Sequence, residues 1–285
     1  MKQKRSMIRY LDRKTDDITR YVEIDLTKIN EQEREHLKRR VSQIYGEHKD
    51  IVRYEGGDDK LVYKTEVLTP KVAKGDRLNL LMVLGNPATH SVQSGMFFAY
   101  ERRRSKQGIE KWIEHRFWTA LSDCKVLTFY RDVANPTSDN IEAVNKYKRE
   151  HLLNGTYKSD FNIFILPYFS FPTPSSVGVS GIKPIVGETI FAEMKRVEFY
   201  RFAEVVVSNE LKNIICFNKT AGREILRQTK FEEKGIIQNQ PAYIINDPLK
   251  GTTLYYSEPT RRIHTQTGKK ILKCVVSAIL SQGVT

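Results

Sequence analysis

The segment Leu78–Leu84, LNLLMVL, runs seven residues with no polar alternation. A run of this kind needs apolar cover on both sides, which is the condition of a parallel strand buried between two layers. It stops at Gly85-Asn86-Pro87, a sequence through which a strand does not continue. Three further runs follow. They are 161–166, FNIFIL, ending in PYFSFPTP; 213–217, NIICF, leading directly into KTAGREILRQ; and Thr252–Tyr256, TTLYY, ending in SEPTRR. Helical periodicity is read between and after them, at 108–123, 138–153, 188–211 and 267–280. In the last of these Ile271, Val275 and Ile279 share one face. Strand and helix in alternation predict the α/β class, here a three-layer α/β/α sandwich with a central, mainly parallel four-stranded sheet. Ligands of such sheets sit beyond the carboxyl ends of the strands. The candidate site therefore falls on the loops after Leu84, Leu166, Phe217 and Tyr256.

Residues 1–77 are expected to form an N-terminal extension packed on or flanking a domain of residues 78–285. Within the extension a helix is predicted over 28–44, with Leu37, Val41 and Ile44 on one face, and Gly56-Gly57-Asp58-Asp59 reads as a hairpin turn. The first residues are basic but carry no apolar core of a secretory signal, and no run of about 18 apolar residues is present, so a cytoplasmic location is expected. The three cysteines, Cys124, Cys216 and Cys274, are far apart and form no CxxC pair. They read as reduced thiols, with no disulfide framework, zinc module or four-cysteine cluster. The formal net charge is +13, a surplus that attracts polyanions, of which nucleic acid is the commonest soluble one. No GxxxxGK[ST] loop, GxSxG elbow or HExxH motif occurs, which disfavours nucleotide hydrolysis, serine esterase and zinc-protease chemistry.

Residues 83–118, VLGNPATHSVQSGMFFAYERRRSKQGIEKWIEHRFW, hold several features in a fixed order: Asn86-Pro87 after a buried strand, Gly95 and Phe98 at set spacing, then His115-Arg116-Phe117-Trp118. This order resembles the first motif region of the uracil-DNA glycosylase superfamily, nearest its mismatch-specific and single-strand-selective branches. A weaker likeness extends to about Leu280, with Ser257-Glu258-Pro259-Thr260-Arg261 in the place of the second motif. The chain departs from the family pattern in three places. Ala88 replaces a glycine, Glu258 and Thr260 alter the second motif, and the middle strand ends in Pro-Tyr-Phe-Ser without the asparagine that some branches carry.

The resemblance implies a monofunctional DNA glycosylase that hydrolyses the N-glycosidic bond of uracil or a related deaminated base, with DNA as partner and no cofactor or metal. Such a reaction takes the base out of the stack into a pocket. It requires a positioned water and donors aimed at the departing base. Asn86 is the candidate to hold the water; the plainer alternative is that it caps a turn. Gly85, Pro87, Ala88, Phe98, Ser170 and Glu258 are the candidates to line the base pocket, Phe98 by stacking, with Phe97 or Phe98 expected in the core. Glu258 fits either contact with an exocyclic amine or a surface pair with a neighbouring arginine. Thr260, Arg261, Arg262 and Lys269 are the candidate DNA-backbone contacts, beside a helix amino end expected near Thr267. Arg102, Arg103, Arg104 and Lys106 form a second basic run. A nucleic-acid-binding protein that has lost the reaction is the alternative these departures leave open.

Overall fold

Pleating sends alternate side chains of a strand to opposite faces, so the positions along Leu78–Leu84 define the two layers that must cover it. The computed structural model describes residues 6–14, 16–104, 110–130, 137, 140–174 and 177–282, with the backbone alone at 14, 101–104, 110 and 111.

The N-terminal residues build an antiparallel sheet and one helix: β1 (Ile8–Lys14), β2 (Thr19–Asp25), α1 (Glu31–Tyr45), β3 (Val52–Glu55) and β4 (Lys60–Glu66), in sheet order β1-β2-β4-β3. Asn30 caps α1. Its Oδ1 accepts from Glu33 N at 2.8 Å and its Nδ2 donates to the Glu33 carboxylate at 3.0 Å, satisfying an amide the first turn leaves orphaned. The helix starts later than predicted because Leu26–Lys28 forms a 3-10 turn capped by Asp25. The predicted hairpin turn joins β3 to β4, with Gly56, Gly57 and Asp58 all in the left-handed region at φ 65°, 67° and 71°.

The rest of the chain reads, in order, β5 (Leu78–Leu84), α2 (Thr89–Ser94), β6 (Glu101–Arg104), β7 (Glu110–Ile113), α3 (Arg116–Asp123), α4 (Ile141–Asn154), β8 (Phe161–Pro167), α5 (Ile182–Val186), α6 (Glu188–Ser208), β9 (Asn213–Cys216), α7 (Lys219–Arg227), β10 (Lys230–Ile237), β11 (Gln240–Asp247), β12 (Thr252–Tyr256) and α8 (Gln266–Leu280). The larger sheet has the order β10-β11-β12-β9-β5-β8. Strands β12, β9, β5 and β8 run parallel, and β10 and β11 join the β12 edge as antiparallel strands. The sheet thus has six strands where four were expected. The missed pair includes KFEEKGII, an edge strand whose residues are mostly exposed and which gives no buried apolar run. A second correction concerns the helix predicted over 108–123: residues 108 and 109 lie outside the described residues, and the helix begins at Arg116 because Glu110–Ile113 pairs with β6 as a short hairpin.

Helices cover both faces. Leu80, Met82 and Leu84 pack in one cluster with Phe117 and Trp118 of α3, Leu152 of α4 and Ile271, Val275 and Ile279 of α8. Leu81 and Val83 pack in the other with Ile185 of α5, Met194 and Phe202 of α6 and Ile225 of α7. That second cluster continues without a break into Ile24, Leu37, Tyr45 and Tyr63 of the N-terminal sheet and helix.

A buried polar group crosses the same boundary. Glu198 of α6, fully buried, pairs with Arg201 at 2.9 Å, accepts from Tyr10 Oη at 2.6 Å and accepts from Ser170 N at 2.8 Å. Ser170 Oγ also donates to Glu198, and Tyr63 Oη lies 2.7 Å from Ser170 Oγ. Arg201 in turn donates to the carbonyl oxygens of Pro167 and Tyr168. One ion pair therefore joins β1, β4, α6 and the end of β8. Arg201→Met should cost about 3–5 kcal/mol, because it strands a buried carboxylate. Replacing Glu198 and Arg201 together by apolar residues should cost less, and urea denaturation midpoints of the three proteins check the order.

Glu66, at the end of β4, is fully buried and neither carboxylate oxygen has a hydrogen-bond partner among the described residues. Burial, with Asp16 nearby, holds its pKa well above the usual 4.5. A carboxyl raised in the folded state stabilises the fold below its unfolded pKa, and that contribution is lost as pH rises through the folded pKa. Glu66→Gln should therefore gain stability relative to the native chain as pH climbs from about 4.5. Denaturation midpoints across that range that stay parallel would exclude the protonated carboxyl.

Candidate functional site

Among the four parallel strands the chain visits β5, then β8 on one side of it, then β9 and β12 on the other. The order reverses between β5 and β9, and the crevice beyond the carboxyl ends of those two strands is where a sheet of this kind receives a ligand. The loop after β5 supplies Gly85, Asn86, Pro87 and Ala88, and the loop after β9 supplies Asn218.

Pairing between β5 and β8 carries on past the strand ends. Tyr168 N donates to Leu84 O at 3.0 Å and Phe169 N to Gly85 O at 2.9 Å. Thr173 N then donates to Pro87 O at 3.1 Å and Thr89 N to Thr173 O at 3.0 Å. Between Phe169 and Thr173 the residues Ser170, Phe171 and Pro172 swing toward the N-terminal sheet. Phe171 meets the ring edges of Tyr63 and Tyr45, at centroid distances of 4.9 and 6.0 Å, and Pro172 O accepts from Tyr45 Oη at 2.5 Å. This detour places Ser170 inside the Glu198 network, fully buried, and away from the crevice where it was expected to line the base pocket.

The same detour fixes Asn86. Its Nδ2 donates to Thr173 Oγ1 at 2.8 Å, to Pro87 O at 3.2 Å and to Phe171 O at 3.3 Å. Two of these partners are backbone carbonyls, which only accept, so the nitrogen must face them and Oδ1 must face the other way. Among the described residues that oxygen has no partner. Across the crevice Asn218 is oriented in the opposite sense. Its Oδ1 caps α7 by accepting from Ala221 N at 3.0 Å, which leaves Nδ2 directed at the β5 loop. The backbone there comes so close that a Cβ on Gly85 would stand 2.5 Å from Asn218 Nδ2 and 2.8 Å from a Val179 methyl. The half-buried loop ends thus bring together one amide whose oxygen is turned from its partners, a second amide whose nitrogen lies against the Gly85 backbone, and a main chain too closely covered there for a side chain. Asn218 was not singled out in the sequence; an asparagine directly between a buried strand and a helix was the available signal.

The remaining candidates are spread around this point. Pro87 is buried, and Ala88 is half-buried and bridges to Thr173. Phe97 is in the core. Phe98 is half-buried with φ +47°, a conformation a non-glycine residue keeps only when its surroundings impose it. Trp118 Nε1 donates to its carbonyl at 3.0 Å, and its ring stands 4.2 Å from Phe117 and 4.7 Å from His115. His115 caps α3, with Nδ1 accepting from Phe117 N. Glu258 and Arg262 form an ion pair at 3.7 Å, Glu258 largely covered and Arg262 67% exposed. Arg261 is exposed and Thr260 half-buried. Helix α8 begins at Gln266 with Thr265 as cap, and Lys269 is engaged with Asp123 at 2.6 Å. The side chains of Arg102, Arg103 and Arg104, and the whole of Lys106, lie outside the described residues.

Other chemistries find less here. Burial pushes the Cys216 thiol up to about 12 and the Cys124 thiol up to about 11, so neither is a thiolate nucleophile at neutral pH. Among the described residues no group of three or more His, Cys, Asp or Glu is placed to hold a metal ion, and no helix is long and apolar enough to cross a membrane. No family model matches the chain, and no curated protein matches it.

Gly85→Ala should destabilise the fold by about 1–3 kcal/mol through overpacking against Asn218 and Val179. Combined with Asn218→Ala it should cost less than the sum of the two single changes, because the side chain it strikes is then gone. Additive denaturation energies would show that the two loops do not touch.

Proposed function

We propose that the chain is a DNA glycosylase that hydrolyses the N-glycosidic bond of uracil or a related deaminated base, in base excision repair. The observation that carries this reading is the fixed orientation of the Asn86 amide at the switch-point crevice. Its Oδ1 accepts a hydrogen bond from a water and holds it below the sugar. Asn218 Nδ2, on the neighbouring loop, donates to a base oxygen as negative charge builds there. The C1′–N bond breaks with its electron pair going to the base. The water oxygen bonds to C1′ and releases a proton, and the departing base takes up a proton. An amide is a weak base, so most of the catalysis comes from position and charge rather than from proton abstraction. Pro87 and Ala88 shape the pocket wall, Gly85 lets the Asn218 loop close against the β5 end, and Glu258 accepts from a ring N–H of the base if Arg262 turns to phosphate. Thr260, Arg261 and Arg262 stand at the mouth, where exposed cations meet a DNA backbone. Lys269, held by Asp123, contributes less.

A nucleic-acid-binding protein without the reaction is the second reading. The observation favouring it is the Phe98 ring, which already lies against Phe117 and His115 where the first reading needs a face for the base.

The deciding experiment offers single- and double-stranded oligonucleotides carrying uracil, hypoxanthine or xanthine, followed by hot alkali. The glycosylase reading expects cleavage on at least one base, reduced about 100-fold or more by Asn86→Ala, the scale of removing one transition-state contact. Absence of cleavage on every substrate, with oligonucleotide binding retained, would replace it by the second reading.

A further inference from the structure

Among the described residues a shallow groove of about 510 Å³, open to solvent, lies between α1 and α5, lined by His36, Arg39, Arg40, Gln43 and Pro184. Every ionisable group on its wall is cationic or imidazole. The nearby carboxylates of α1 are engaged elsewhere: Glu31 with Arg34, Glu33 with Thr189 and Glu35 with Lys38. Lys183 of α5 is likewise taken by Glu188. Arg39 is exposed and forms no ion pair among the described residues, and Arg40 donates only to Gln43 at 3.0 Å. His36 Nε2 lies 3.1 Å from Pro184 O, which joins the two walls. Two guanidinium groups without carboxylate partners along an open groove are a donor set that suits phosphate.

The position of this groove gives it a role. The segment 171–186 begins at Phe171 and Thr173, which hold the Asn86 amide. It passes through Val179, which touches the Gly85 backbone, and reaches Pro184 on the groove wall. From Val179 to Pro184 the chain is a 3-10 turn followed by α-helix, a rise of about 8–9 Å. One strand of duplex DNA spaces its phosphates about 3.4 Å apart along the axis, so this rise is of the order of two to three such spacings. On the other side, Tyr45 of α1 bonds Pro172, so the helix that carries the arginines is fastened to the loop that holds Asn86.

We infer that the α1–α5 groove binds the phosphate backbone of the DNA strand whose target nucleotide enters the Asn86 crevice, with Arg39 and Arg40 as the contacting cations. The inference rests on the DNA reading of the crevice and assigns the N-terminal residues a part in holding substrate.

The test is fluorescence anisotropy of a labelled single-stranded, uracil-containing oligonucleotide across a salt series. The proteins are the native chain, Arg39→Gln with Arg40→Gln, and a control with the same charge loss at the opposite end of the sheet, Lys230→Gln with Lys250→Gln. Two lost phosphate contacts on a single strand should lower the slope of log affinity against log salt by about 1.4, with the control unchanged. An equal slope in the native and arginine variants, or an equal loss in the control, overturns the groove while leaving the crevice reading standing. Absence of salt-sensitive binding by the native chain overturns both.

Discussion

Strand β5 is buried on both faces, and the other elements are arranged to satisfy that demand. Its odd and even positions call for two separate apolar layers. The chain meets it with α3, α4 and α8 on one side and α5, α6 and α7 on the other. A strand covered on both faces has only its ends open to a ligand. Its carboxyl end stops at Gly85, where the absence of a side chain lets the β9 loop close in until Asn218 lies against the backbone. The crevice is a consequence of how a doubly covered parallel strand must end beside a neighbour whose connection runs the other way.

The N-terminal sheet and helix support that end rather than sit apart from it. Tyr45 and Tyr63 pack on Phe171, and the Glu198–Arg201 pair gathers Tyr10, Tyr63 and Ser170 around the end of β8. Their combined effect is to pull Ser170, Phe171 and Pro172 out of line. The Phe171 and Pro87 carbonyls are then left facing the Asn86 amide. A conformational choice at one asparagine is thus fixed by packing from residues far earlier in the chain. Removing one member of this buried pair leaves the other charge uncompensated, which is why the support depends on both.

The four parallel strands were legible because each is a continuous apolar run, a signal that survives without any partner being known. The hairpin of β10 and β11 was not, since Lys230, Glu232, Glu233 and Lys234 keep an exposed edge polar and conceal its pairing. The start of α3 was misread because Ile113 and Phe117 stand four residues apart, a spacing that suits a helix, while the hairpin with β6 decides otherwise. That Asn86 stands just past the end of a buried strand was legible from the apolar run and the Gly85-Asn86-Pro87 that stops it. Ser170 was not, because position in a motif says nothing about which way a loop swings, and that is set by Glu198 and Tyr63. Asn218 escaped for a different reason: its role depends on closeness to Gly85, a contact across more than a hundred residues.

The Arg261–Arg262 loop follows β12, and the Arg39–Arg40 groove lies against α5; under the proposed reading these two basic surfaces hold a strand on either flank of the Asn86 loop. The most direct measurement of where substrate sits is amide hydrogen–deuterium exchange with and without a single-stranded uracil-containing oligonucleotide. The account predicts slowed exchange in peptides spanning 84–96 and 216–223, with the β10–β11 turn unchanged. Unaltered exchange in those two segments under conditions where the oligonucleotide is bound would contradict it.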